Sequence, residues 1–153
     1  EFDKAIKKKT IFVQDNHSKS IKGVLRGMHY QLLPNSQGKL IRCIAGSIFD
    51  VIVDIRKSSK TFLSWASIKI TNKSKNQLWI PSGFAHGFLT LTNNAEIIYK
   101  TTNFWSKESE RSLNWNDPSL NIKWPLTNTK PLQSKKDEEA PMIKLINNSE
   151  FFP

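Results

Sequence analysis

Between Leu40 and Ile55 the odd positions run Ile41, Cys43, Ala45, Ser47, Phe49, Val51, Val53, Ile55, while the even positions alternate apolar residues with Arg42, Asp50 and Asp54. Successive side chains of a strand point to opposite faces, so this period of two predicts extended chain. The turn residues Ala45-Gly46-Ser47 split it into two antiparallel strands. One face is apolar; the other carries charge in apolar surroundings. Trp65–Ile70 alternates in the same way, and Gln77–Ile80 runs into a Pro-Ser-Gly turn. Phe84–Thr92 and Ala95–Thr102 flank Asn93-Asn94, and Gly23–Leu33 is a further candidate. Many short strands between Gly, Asn, Ser and Pro turns predict an all-β fold, a jelly-roll barrel or sandwich. Helix is expected only at Phe2–Lys8 and near Lys107–Leu113.

Composition supports that class. Ile, Val and Thr together number 29 against 6 Ala, a balance that favours pleated chain over helix. A length of 153 residues suits one domain, 1–153, with an irregular tail from about 125, rich in Pro, Lys, Asn and Glu, docking over the sheets. The single cysteine, Cys43, excludes an internal disulfide. No run approaches the roughly 18 apolar residues of a membrane helix, and nothing at Glu1-Phe2-Asp3-Lys4 has a signal-peptide layout, so a cytoplasmic protein with no membrane partner is expected. The formal charge of +10 suits an anionic partner, but the lysines are scattered and no nucleic-acid-binding module is recognisable. Nucleic acid is therefore not expected as a partner.

Two segments carry candidate chemistry. In Leu25-Arg26-Gly27-Met28-His29-Tyr30 a regular strand would send Arg26 and His29 to opposite faces, but Gly27 permits a bulge that re-aims one of them. Pro81-Ser82-Gly83-Phe84-Ala85-His86-Gly87-Phe88 resembles the second cupin motif, which turns a histidine into a barrel interior. Metal-binding cupins add further histidines at His-x-His spacing. This chain has only His17, His29 and His86, so no metal and no cofactor are expected. His86 then serves as a hydrogen-bonding group, with Asp50 as a candidate partner.

A longer series makes a resemblance specific. Phe12-Val13-Gln14-Asp15-Asn16-His17-Ser18, Gly23 through Gln31, Gln37-Gly38-Lys39, Phe49-Asp50-Val51 through Asp54-Ile55-Arg56, and Leu78-Trp79-Ile80-Pro81 through Phe88 follow one another in order. Tyr99 through Asn103, Trp115-Asn116-Asp117, Ile122-Lys123-Trp124-Pro125 and Ser134-Lys135-Lys136-Asp137 complete the series. Together they resemble the dTDP-4-dehydrorhamnose 3,5-epimerase family across nearly the whole chain. That family's pattern begins upstream of Glu1, so its leading strands, with an Arg-containing substrate-contact motif, are expected to be missing. The resemblance implies a cupin-like jelly roll, a dTDP-sugar substrate and a homodimer.

It also implies a reaction. The C3 and C5 hydrogens of a 4-keto-6-deoxyhexose flank the C4 carbonyl. Removing either as a proton leaves an enolate on O4, and returning a proton to the other face inverts the centre. A base, an acid on the opposite side and a cation at O4 are needed. By resemblance His29 is the base, Asp137 fixes its tautomer, Lys39 stabilises the enolate and Tyr99 gives the proton. Arg26, Gln14, Asp15, Asn16, His86, Glu110 and Lys136 fall at substrate-binding positions. Trp105 stands where the family has a tyrosine stacked on thymine. A mono-epimerase of the same family, or a dTDP-sugar-binding or oligomerisation protein with impaired catalysis, are the alternatives.

Overall fold

The computed structural model describes residues 1–126 and 130–153. Among them are nine strands: β1 (Gln14–Ser20), β2 (Leu25–Gln31), β3 (Lys39–Ala45), β4 (Ser47–Asp54), β5 (Trp65–Thr71), β6 (Gln77–Ile80), β7 (Phe84–Thr90), β8 (Ala95–Thr101) and β9 (Glu110–Ser112). Two short α-helices, α1 (Phe2–Ile6) and α2 (Lys135–Glu138), lie near the ends of the chain. The strands form a four-stranded sheet, β1-β8-β3-β6, and a five-stranded sheet, β5-β4-β7-β2-β9, with every neighbouring pair antiparallel. This is the all-β jelly roll that the alternation predicts, in the cupin-like form that the resemblance implies.

Three details differ from the sequence expectation. First, β3 and β4 are not paired. The chain crosses from one sheet to the other at Gly46, and β3 pairs β6 and β8 while β4 pairs β5 and β7. Gly46 makes the crossing with φ +70, where a Cβ would lie 2.1 Å from the Asn94 carbonyl oxygen. Second, the helix expected near Lys107–Leu113 is a turn leading into β9, because the edge of β2 offers ladder partners that a lone helical turn lacks. Tyr30 pairs Arg111 and Gln31 pairs Glu110 there. Third, β1 is a strand although its seven residues, Gln14 to Ser20, are all polar. Its inward residues face the cavity between the sheets, where an apolar lining is not required.

The five-stranded sheet is covered on both faces, which explains why β4 is buried almost throughout. Between the sheets lie Cys43, Ile48, Ile70, Phe88, Ala95 and Ile97. Against the other face pack Met28, Tyr30, Val51, Val53, Ile55, Ala85 and Leu113, closed over by Leu120 and Phe151. Val51, Val53 and Ile55 are fully enclosed, each contributing about 2 kcal/mol. Parts of the tail are paired and packed here. Leu132 bridges Val24, Phe152 bridges Arg56, and the Phe151 ring stands edge-on to Phe62 at 5.4 Å. The buried Asp117 accepts from the backbone N–H of Ser119 and Ile143 (2.7 and 2.6 Å), fastening the tail's first 3-10 turn, Ile143–Leu145. Positions 127–129 of the expected tail lie outside the described residues.

Candidate active site

The bulge anticipated at Gly27 is present. Arg26 pairs Phe88 and His29 pairs His86, so three residues of β2 span the distance of two on β7. The extra residue turns Arg26 and His29 toward the same interior, while Met28 and Tyr30 enter the outer core. Two glycines allow it. A Cβ on Gly27, whose φ is +122, would lie 2.4 Å from the Gly87 Cα, and one on Gly87 would lie 2.6 Å from the Met28 sulfur.

Arg26, His29, Lys39, His86, Tyr99 and Asp137 line one cavity of about 410 Å³ between the sheets. His29 and His86 come from the five-stranded sheet, Lys39 and Tyr99 from the four-stranded sheet. The imidazole of His29 and the phenol of Tyr99 therefore enter from opposite walls. Asp137 arrives from the tail, on α2, and its Oδ1 lies 2.5 Å from His29 Nε2. His86 Nε2 meets Asp50 Oδ2 at 2.9 Å, the partnership expected from β4. His17 is on the outer face of β1, 3.1 Å from Glu96 Oε2, so the three histidines do not converge.

The electrostatics follow from burial and neighbours. Burial lowers the Lys39 ammonium to about 8, against the opposing pull of the Asp50 and Glu110 carboxylates, with Lys136 adding to the drop. Burial also raises the Tyr99 phenol, so it carries its proton at neutral pH. For Asp137, burial works upward but is outweighed by the hydrogen bonds from His29 and Ser134 and by the His29 and Lys136 charges. Its carboxyl stays below the usual range and is ionised.

The remaining expected residues divide by position. In β1 Gln14 and Asn16 turn inward, joined by a 2.8 Å hydrogen bond from Gln14 Nε2 to Asn16 Oδ1. Asp15 points to the outer face, where its carboxylate meets Lys100 Nζ at 2.7 Å, so the strand's alternation separates it from its neighbours. The exposed Trp105 is tied to Gln14 through its backbone N–H, 3.1 Å from Gln14 Oε1, and does not line the cavity. Glu110 and Lys136 meet each other at 2.5 Å, linking β9 to α2. Sequence reasoning placed Ser18 and Ser134 within the family motifs but gave neither a role, and both line the cavity. Ser134 had a signal: Ser three residues ahead of Asp is the spacing of a helix N-cap.

A base oriented by a carboxylate, a protonated phenol facing it and a cation in one cavity can move a proton off one face of a small carbonyl compound and onto the other. Fold and site together describe a cupin-like isomerase of the acid–base kind. The chain belongs to the dTDP-4-dehydrorhamnose 3,5-epimerase family, whose sequence profile matches residues 1–144. It is 59% identical over 136 residues to the dTDP-4-dehydrorhamnose 3,5-epimerase of Shigella flexneri, covering 89% of this chain and 74% of that one. Its structure matches the dTDP-6-deoxy-D-glucose-3,5-epimerase of Legionella pneumophila in complex with dTDP-4-keto-L-rhamnose, with TM-score 0.94 and 44% identity over 99% of this chain and 79% of that one. A 3'-monoepimerase of Streptomyces bikiniensis in complex with dTDP-quinovose matches with TM-score 0.86 and 34% identity, covering 92% of this chain and 71% of that one.

Proposed function

We propose that this protein epimerises C3 and C5 of a dTDP-4-keto-6-deoxyhexose in dTDP-L-rhamnose or related deoxysugar biosynthesis, without a cofactor. One observation carries the assignment of roles: His29, held by Asp137, and Tyr99 enter a single cavity from opposite sheets, with Lys39 in its wall. His29 takes the proton from the carbon beside the ketone, and Asp137 keeps its ring oriented and stabilises the imidazolium formed. Lys39 donates to O4 as charge develops there, a contribution of about 3 kcal/mol for one well-placed donor. Tyr99 returns a proton to the other face. Arg26 holds the diphosphate, with Gln14, Asn16, His86, Glu110 and Lys136 as further substrate contacts and Trp105 as a stacking surface for the base.

The whole of 1–153 acts as one catalytic unit on this reading, since the tail supplies Asp137. It works as a homodimer in the cytoplasm. Among the described residues no helix is long and apolar enough to cross a membrane.

Incubation with dTDP-4-keto-6-deoxyglucose in D₂O tests the reaction. Deuterium is expected at C3 and C5, reduced at least a hundredfold by His29→Ala. Label at C3 alone would identify a mono-epimerase. Absence of label in the native protein, or full label in His29→Ala, would overturn the mechanism.

A further inference from the structure

We infer that Ser134 is a positioning residue for the reaction: its hydroxyl fixes the plane of the Asp137 carboxylate, and through it the imidazole of His29. The inference rests on the dyad described above and adds a third member to it.

The geometry is closed at every atom. Asp137 Oδ1 is committed to His29 Nε2 at 2.5 Å, and Oδ2 accepts from Ser134 Oγ at 3.0 Å. Ser134 Oγ in turn accepts from the backbone N–H of Asp137 at 3.2 Å, as the N-cap of α2. An ionised carboxylate has no proton to give, so the hydrogen between the two side chains belongs to the serine. Capping alone needs only the lone pair of the hydroxyl. The proton directed at Oδ2 is a second use of the same oxygen.

That second use matters because the last torsion of an aspartate is broad and roughly two-fold, so a carboxylate held at one oxygen can swing. Held at both, it presents Oδ1 to the histidine in one orientation. The support extends outward. Leu132 is tied to the start of β2 through Leu25 N–H and to the residue two before that strand, Gly23, through its C=O, both at 2.9 Å, and Lys136 is tied to Glu110 on β9. Between these two anchors lies Ser134, on the cavity wall. Asp137 is itself buried, so the donors at its carboxylate decide its orientation.

Three substitutions in the full chain separate positioning from capping. Glycine caps a helix nearly as well as serine but has no hydroxyl; threonine keeps both functions; alanine keeps neither. Ser134→Gly is expected to melt near the native temperature yet lose about tenfold in kcat for deuterium incorporation, with KM unchanged. Ser134→Ala is expected to lose activity similarly and to melt lower, and Ser134→Thr to retain activity. A native kcat in Ser134→Gly would overturn the inference. Asp137→Asn distinguishes the two readings. Loss there with native rates in Ser134→Gly removes only the role of the serine, whereas native rates in Asp137→Asn remove the dyad and the serine's role together. A readout independent of turnover is the proton shared by His29 and Asp137, observed by NMR at low field. Its signal is expected to broaden in the Gly and Ala variants and to persist in Thr; an unchanged signal in Ser134→Gly would contradict the role.

Discussion

At the scale of single residues, Lys39 sets a limit on the working pH. With its ammonium lowered to about 8, chiefly by burial, the free enzyme loses that cation as pH rises through this value. Because kcat/KM reports the free enzyme, it is expected to fall above about pH 8 in a pH–rate profile. Tyr99 adds no limb below its ordinary value, since burial moves it upward. Lys39→Ala should abolish the alkaline limb as well as most of the rate. The sequence made some of this legible and not the rest. The pairing of His86 with Asp50 and the bulge at Gly27 were readable from the residue types on β4 and β2. His29 and Asp137 stand 108 positions apart, and no local pattern joins them; only the resemblance did. The shift on Lys39 was not legible at all, because burial is set by the other sheet.

At the scale of elements, alternation worked where a strand separates two unlike environments. It found β3 through β8 with ends within about two residues, yet it carries no information about which strand pairs with which, so the crossing at Gly46 looked like a hairpin. It missed β1, whose two faces are both polar, and β9, only three residues long, which exists because β2 offers an edge. The loop after β4 shows how a charged residue in an apolar strand is accommodated. Asp54, 2% exposed, accepts from Arg56 N, Nε and Nη2 and from the hydroxyls of Ser59 and Thr61 at 2.6 to 3.0 Å. Burial opposes its ionisation, but these donors outweigh it and hold the carboxyl far below its usual range. A depressed carboxyl contributes stability at neutral pH that is lost as pH falls through its folded-state value. Asp54→Ala should destabilise the fold by about 2 kcal/mol, read as a lower urea midpoint, because the loop loses the one buried acceptor on which its donors converge, while the half-exposed Arg56 turns to water.

At the scale of the molecule, the two sheets divide their work. The five-stranded sheet, packed on both faces, is the rigid wall that carries the two histidines; the four-stranded sheet has one face in the cavity and the other in solvent. That outer face exposes Ile44 and Ile98 among Arg42, Asp15 and Lys100. The proposed homodimer has a partly apolar surface available there. Sedimentation velocity is expected to give twice the chain mass, and Ile98→Lys with Ile44→Lys to shift it toward the monomer; a native protein that sediments as a monomer at micromolar concentration would contradict the dimer. The net charge of +10 reads differently beside the fold. Arg26 and Lys39 line the cavity, while most lysines are exposed, as their scatter along the sequence suggested.

The crossing of Gly27 and Gly87 limits how this site can change. Suppressor mutations usually rescue an oversized residue by trimming its neighbour. Here each neighbour is already bare backbone: an alanine at Gly27 meets a Cα, and one at Gly87 still meets the Arg26 carbonyl at 2.8 Å after Met28 is shortened. Neither position has an atom left to surrender. Descendants of this sequence can vary the outer faces of the sheets, but they inherit the knot of bare chain that aims its histidine, and a lineage that fills it has no nearby way back.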